Sequence, residues 1–110
     1  MRVRLSASAE RELDQAFEFY EQQRAGLGAE FLGAVRGTSL QVSEWPLAGR
    51  PFTRELRSTV VRRFPYWLIY EQRDSLIWIT AVAHQSRGAE YWRSRWDVRE
   101  SATAYLRLAA

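Results

Sequence analysis

The chain is expected to fold as an α+β domain. An N-terminal strand and an αα-hairpin should precede a three-stranded antiparallel meander that completes one sheet, with a helix at the C-terminus. Three observations predict this. Apolar residues recur at helical spacing through the first half. A Gly-Leu-Gly step at residues 26–28 separates two such stretches. In the second half, two apolar, aromatic-rich runs at 66–72 and 76–83 flank the polar turn Arg73-Asp74-Ser75.

Taken in order, residues 2–6 alternate polar and apolar side chains and read as a short strand. Ser6 or Ser8 can cap the helix that follows, because a side-chain oxygen accepts from a free amide of the first turn. Ala9, Leu13, Ala16, Phe17 and Tyr20 form the apolar stripe of that helix, and Glu12, Gln15, Glu18 and Glu21 its solvent face. A second helix carries Phe31, Leu32, Val35, Ser39 and Val42 on one face and ends at Trp45-Pro46. Residues 47–52 read as a loop. Strand character begins near Arg54 and runs through Val60-Val61-Arg62-Arg63. Pro65 cannot donate to a ladder, so a break belongs there. The two long runs are almost continuously apolar, which implies burial on both faces, or one face packed on helices and the other partly covered. From Gly88 onward, Ala89, Trp92 and Trp96 share a helical face, and residues 102–108 extend it.

Residues 1–110 are expected to form a single domain, with 97–110 as a helical extension. A chain of this length buries about two-thirds of its unfolded surface, enough for a core without staples. There is no cysteine, which excludes disulfides and thiolate metal sites and fits a reducing compartment. No apolar run approaches the roughly 20 residues that span a bilayer. The alternating start does not read as a signal peptide. The expected location is the cytoplasm, with no membrane partner. Charge is unevenly distributed: residues 1–49 hold five Arg against seven acids, residues 50–110 eleven Arg against six. All sixteen basic side chains are Arg. Biased codon usage accounts for the missing lysines, whereas clustering in the second half points to an acidic partner, nucleic acid or peptide.

Few residues suggest chemistry. His84 is the only histidine, so no second imidazole or thiolate exists for the usual metal site, and no nucleophile elbow is present. No cofactor is expected. At the end of a strand, His84 is most simply bonded to backbone; a functional role would be contact with a phosphate or a partner carboxylate. Arg62 and Arg63, on opposite faces of a strand, leave one side chain free to line a groove with Arg87, Arg93 and Arg95. Tyr91, Trp92 and Trp96 interleave with these arginines, a composition that stacks on bases or anchors a protein interface. Docking on the sheet is the simpler role for Trp92 and Trp96. Glu18 and Glu21 have no apolar pocket to raise a carboxyl pKa and are expected to face solvent.

Several stretches together resemble the ParE/RelE superfamily of type II toxins, often called plasmid stabilisation proteins. They are Val61-Arg62-Arg63-Phe64-Pro65-Tyr66, then Leu68-Ile69-Tyr70, then Ile77-x-Ile79-x-Ala81-Val82-x-His84-x-x-Arg87. Ala9, Leu13 and Tyr20, the Gly-Leu-Gly turn, Phe31-Leu32 and Tyr91-Trp92-x-x-Arg95 fit the same pattern, so the resemblance covers about residues 2–96. It implies a stress-response toxin neutralised by the C-terminal segment of a cognate antitoxin. Such a chain would form a toxin–antitoxin hetero-oligomer or a homodimer.

The superfamily implies two targets. RelE-like members cut mRNA on the ribosome with basic and Tyr side chains; ParE-like members act on DNA gyrase without being nucleases. Where the nucleases place an Arg before the third-strand apolar run, this chain has Trp67. Basic positions on the preceding strand fall near Ser58 and Val60, and a functional Arg past the last strand aligns with Gln85. Only Tyr91 matches. The expectation is therefore a ParE-like gyrase inhibitor that is not an enzyme. Arg62, Arg63, Arg87, Tyr91, Arg93 and Arg95 are its candidate contacts to target or antitoxin. A ribosome-dependent endoribonuclease using His84, Arg87 and Tyr91 is the alternative, with an inactive antitoxin-binding homologue as a third reading.

Overall fold

The computed structural model describes residues 1–87. The elements run β1 (Arg2–Leu5), α1 (Ala7–Gln23), α2 (Leu27–Glu44), β2 (Arg50–Pro51), β3 (Arg57–Val60), β4 (Tyr66–Arg73) and β5 (Leu76–His84). One sheet holds all five strands in the order β1-β5-β4-β3-β2. β3, β4 and β5 form the antiparallel meander, and β1 lies parallel to β5, with Val3 opposite Ile77 and Leu5 opposite Ile79. The α+β class and its order are as expected. The C-terminal helix lies outside the described residues.

Ser6, rather than Ser8, caps α1: its Oγ accepts from the Ala9 N–H at 3.1 Å. The same hydroxyl donates to the Thr80 carbonyl, and the Ser6 N–H donates to Ile79. The strand-to-helix corner is thereby fastened to β5. Ala9, Ala16 and Tyr20 of α1, with Phe31, Val35 and Val42 of α2, bury against Leu68, Tyr70, Ile77, Ile79 and Val82. Thr38, rather than Ser39, completes the buried stripe of α2.

A smaller cluster on the other sheet face gathers Leu56, Ile69, Ala81 and Ala83, with Phe52 and Trp67 packed against it. The two clusters explain the continuous apolar runs of β4 and β5. They also require an irregularity, because Ile77, Ile79, Ala81 and Ala83 would share one face of a regular strand. Ile69 pairs with Ala81 and Tyr70 with Ile79, so Thr80 is an extra residue in the ladder. Its Oγ1 donates to the Ile69 carbonyl at 3.0 Å. The bulge turns Val82 and His84 to the helix side, and Ala81 and Ala83 away from it.

Several expectations are corrected. Strand pairing starts at Arg57, not Arg54, and a two-residue strand, β2, lies outside β3. Val61, Arg62 and Arg63 belong to a turn, because hydrogen bonding closes the chain there ahead of Pro65. Arg62 and Arg63 therefore do not straddle a strand. Two acids of α1 are half-buried and bond to backbone, where solvent-facing side chains were expected. Glu12 Oε1 accepts the Val82 N–H at 3.0 Å, on β5 beyond the end of its pairing with β1. Glu21 Oε1 accepts the N–H groups of Gly26 and Gly28 at 3.0 and 2.9 Å. α2 starts at Gly26, whose φ of 89° suits glycine and which has no side chain to cap with. Glu21 supplies that cap from the preceding helix, with the negative charge the N-terminus favours. A Cβ on Gly28 would lie 2.7 Å from the Phe17 ring, so close helix packing also needs glycine there.

The loop before β2 is held by Tyr70. Its hydroxyl donates to the Pro46 carbonyl at 2.8 Å and accepts from the Gly49 N–H at 3.1 Å. Arg57 Nη1 donates to the carbonyls of Leu47 and Gly49. A Cβ on Gly49 would fall 2.1 Å from that hydroxyl. Burial raises the Tyr70 pKa above its ordinary 10.0, against the opposing pull of the Gly49 N–H and the Arg57 charge. Burial likewise raises Tyr20 and Tyr66.

Two outcomes follow. Glu21→Ala should lower unfolding stability by about 1 kcal/mol, the usual worth of a helix cap, measured by denaturant titration. Tyr70→Phe leaves two half-buried backbone groups, the Pro46 carbonyl and the Gly49 N–H, without this partner and should cost about 1 kcal/mol in the same experiment. Because the three phenols have folded pKa values above their unfolded ones, their contribution is fully present below about pH 10 and is lost as pH rises through the folded values. Tm should therefore fall on the alkaline side of pH 10, less steeply in Tyr70→Phe.

Candidate functional site

The candidate residues that the structure describes gather at one end of the sheet. β3 ends at Val60 and the chain reverses over residues 61–65. The Val61 N–H donates to the Tyr66 carbonyl at 2.8 Å, and the Phe64 N–H reaches the Val61 carbonyl at 3.4 Å. Arg62 and Arg63 are the two central residues of this turn. Arg63 has φ 72° and Arg62 is not in the positive region, which is the type II pattern. Both side chains are exposed.

Aromatic packing fixes the turn. Phe64 sits 5.0 Å from Tyr20 and 5.1 Å from Phe31, centroid to centroid, and Tyr66 sits 5.0 Å from Phe31. Edge-to-face geometry dominates, as the ring quadrupoles favour. The helical hairpin thus clamps both ends of a segment whose middle is two arginines. The Pro65 carbonyl accepts the Gln85 N–H at 2.8 Å and ties the turn to the exit of β5.

His84 is the last residue of β5, directly opposite Tyr66, and the two rings meet edge to face at 4.9 Å. Nδ1 accepts the Ser86 N–H at 2.9 Å, with Ser86 Oγ 2.7 Å away. The Nδ1 lone pair is directed at the Ser86 N–H, the arrangement of the tautomer that carries its proton on Nε2. His84 thus bonds to backbone at a strand end, as expected. The partner, Ser86, was not singled out in the sequence; a Ser two residues past a strand-end His is a local turn signal that could have found it. Burial, and secondarily the neighbouring Tyr20 phenol, push the Tyr66 hydroxyl above its ordinary value, so at neutral pH it is a protonated phenol. Arg87 is exposed, and its N–H donates to the His84 carbonyl.

The structure therefore brings Arg62, Arg63, His84 and Arg87 to one end of the sheet, together with Tyr66. Tyr91, Arg93 and Arg95, the other members of the expected groove, lie outside the described residues, as do Trp92 and Trp96. Trp67 packs on the far face beside Ala83, where it supports the smaller core cluster. Among the described residues, no group of three His, Cys, Asp or Glu is placed to hold a metal. An open cleft of about 440 Å³ lies toward the opposite end, lined by Leu47, Arg54, Arg57, Tyr70 and Asp74 among others. No helix among the described residues is long and apolar enough to cross a membrane. At the candidate end, the arrangement can bind anions through guanidinium groups. There the Nδ1 lone pair of His84 is taken up by the Ser86 N–H.

The comparisons with known proteins agree with this architecture. Among solved structures, the chromosomal ParDE TA system from P. aeruginosa is similar, with a TM-score of 0.58 and 20% sequence identity over 76% of this chain and 95% of that one. At this identity the likeness speaks to the fold. No curated protein matches. A family model described as the ParE toxin of the type II toxin-antitoxin system, parDE, matches residues 3–88, most of the chain and all of the strands and helices described above except Arg2. The chain belongs to the ParE toxin family of type II toxin–antitoxin systems.

Proposed function

We propose that this protein is a toxin that inhibits DNA gyrase by binding it, without chemistry of its own, and that a cognate antitoxin neutralises it. The family match supports the toxin half of the reading. The observation that favours binding over catalysis is the state of His84. With Nδ1 occupied by Ser86, the only imidazole of the chain presents a donor where a nuclease needs a base. The positions that hold basic side chains in RelE-like nucleases carry Ser58, Val60, Trp67 and Gln85 here, and Trp67 is committed to packing. Phosphoryl chemistry on RNA needs cationic clamps on the scissile phosphate, so these neutral positions weigh against that mechanism.

One observation supports ribosome-dependent mRNA cleavage as the second reading: Arg62, Arg63, Tyr66, His84 and Arg87 share one end of the sheet. In that case His84 would act as a donor to a phosphate oxygen, with the base supplied elsewhere.

The purified chain is expected to block gyrase-catalysed supercoiling of relaxed plasmid in a dose-dependent way, with relief on adding the antitoxin encoded beside it. Unimpaired supercoiling at a large molar excess of toxin contradicts the proposal.

A further inference from the structure

We propose that the outward face of α2 is the contact surface of a homodimer, on which a second copy of this chain packs antiparallel about a two-fold axis at Leu40. Burial defines the face. Phe31, Val35, Thr38 and Val42 turn α2 into the core. On the opposite side Gly33, Arg36, Gly37, Leu40 and Glu44 follow one another at helical spacing, and all are exposed. Leu40 is 58% exposed in the middle of this strip, and Trp45, directly beyond the helix, is 69% exposed.

The first ground is the pair of glycines. Glycine weakens a helix interior relative to alanine. Gly28 has a reason within the protomer, the Phe17 ring. Gly33 and Gly37 have none, because a Cβ at either would meet nothing within 4 Å. Two bare positions beside an exposed Leu let a second helix approach closely, since the side chains at the contact set the distance between helix axes.

The second ground is charge, and it selects the occupant. Arg36 and Glu44 flank Leu40 at equal distances along the helix, on the same face. Among the described residues, neither side chain takes part in a hydrogen bond or ion pair. In a two-fold contact, residue i of one copy meets residue j of the other, and j meets i. With Leu40 on the axis, Arg36 of each copy faces Glu44 of the other, so opposite charges pair on both sides of a Leu–Leu centre. The face is thus complementary to itself. A uniformly acidic or basic segment would instead meet one like charge for each opposite one. Antiparallel packing also sets the N-terminus of each helix toward the C-terminus of the other, which their dipoles favour. A contact one helix wide lies at the small end of specific interfaces, so the dimer should form at micromolar concentrations or above. The inference does not depend on the toxin reading.

Sedimentation velocity across the micromolar range tests it, with Tm measured at low concentration. The chain should pass from monomer to dimer as concentration rises. Arg36→Glu and Glu44→Arg should each weaken association about tenfold, because both charge pairs of the dimer change from attraction to repulsion. An equimolar mixture of these two variants should dimerise as well as the unsubstituted chain, since each copy then brings the charges the other lacks. Arg36→Glu/Glu44→Arg should do so alone. Gly37→Gln puts bulk on the face and a better helix former in the helix, so it should raise Tm and weaken association. The proposal is overturned by a chain that stays monomeric throughout, by single charge variants that dimerise normally, by a mixture that associates no better than its components, or by a fall in Tm in Gly37→Gln. The supercoiling assay judges the toxin reading apart. A monomeric chain that blocks gyrase removes the dimer and keeps that reading; a dimer that leaves gyrase unaffected does the reverse.

Discussion

The register between β4 and β5, with its one-residue offset at Thr80, is the constraint on which the other features depend. These are the two longest strands and the centre of the sheet. Side chains alternate between faces, so a single inserted residue exchanges the faces of everything beyond it. Below Thr80, Ile77 and Ile79 pack against the helices; above it, Val82 and His84 do so, and Ala81 and Ala83 face the smaller cluster. Without the offset, small alanines would face the helices. His84 would then point away from Tyr66 and from the aromatic cluster that positions the turn.

That constraint reaches the functional end through a chain of ring contacts. Tyr20 and Phe31 of the helices hold Phe64 and Tyr66, and Tyr66 holds His84. The helical hairpin is therefore more than a cover for the sheet. It fixes the arginine turn from behind while leaving both guanidinium groups exposed. The helices are set in turn by side chains that replace missing backbone partners. Ser6 and Glu12 bond to β5 beyond the end of its pairing with β1, and Glu21 caps α2 across the glycine turn.

Much of this was legible in the sequence because periodicity and local turn chemistry coincide with the outcome. The stripes of α1 and α2, a serine cap at residue 6 or 8 and the β4–β5 hairpin at Asp74 are of this kind. What escaped depends on contacts distant along the chain. Thr80 reads as an ordinary strand residue, and only the conflict between two core faces shows it as a bulge. Val60-Val61 carries strand propensity, which hid the turn that places Arg62 and Arg63. Glu12 and Glu21 fall on the polar side of a helical stripe, and nothing local reveals that backbone amides 70 and 5–7 residues away need them. His84 was legible as a strand-end residue. Its tautomer depends on Ser86 and needed coordinates.

The central claim is that this surface grips a protein partner and does not cut RNA, and His84 is where the two accounts part. Mapping mRNA 5′ ends in a translating extract supplied with the purified chain tests it most directly. No new ends should appear at toxin concentrations that arrest growth or block supercoiling. Ribosome-dependent ends that vanish in His84→Ala, while that variant keeps its fold and its antitoxin binding, would contradict the account.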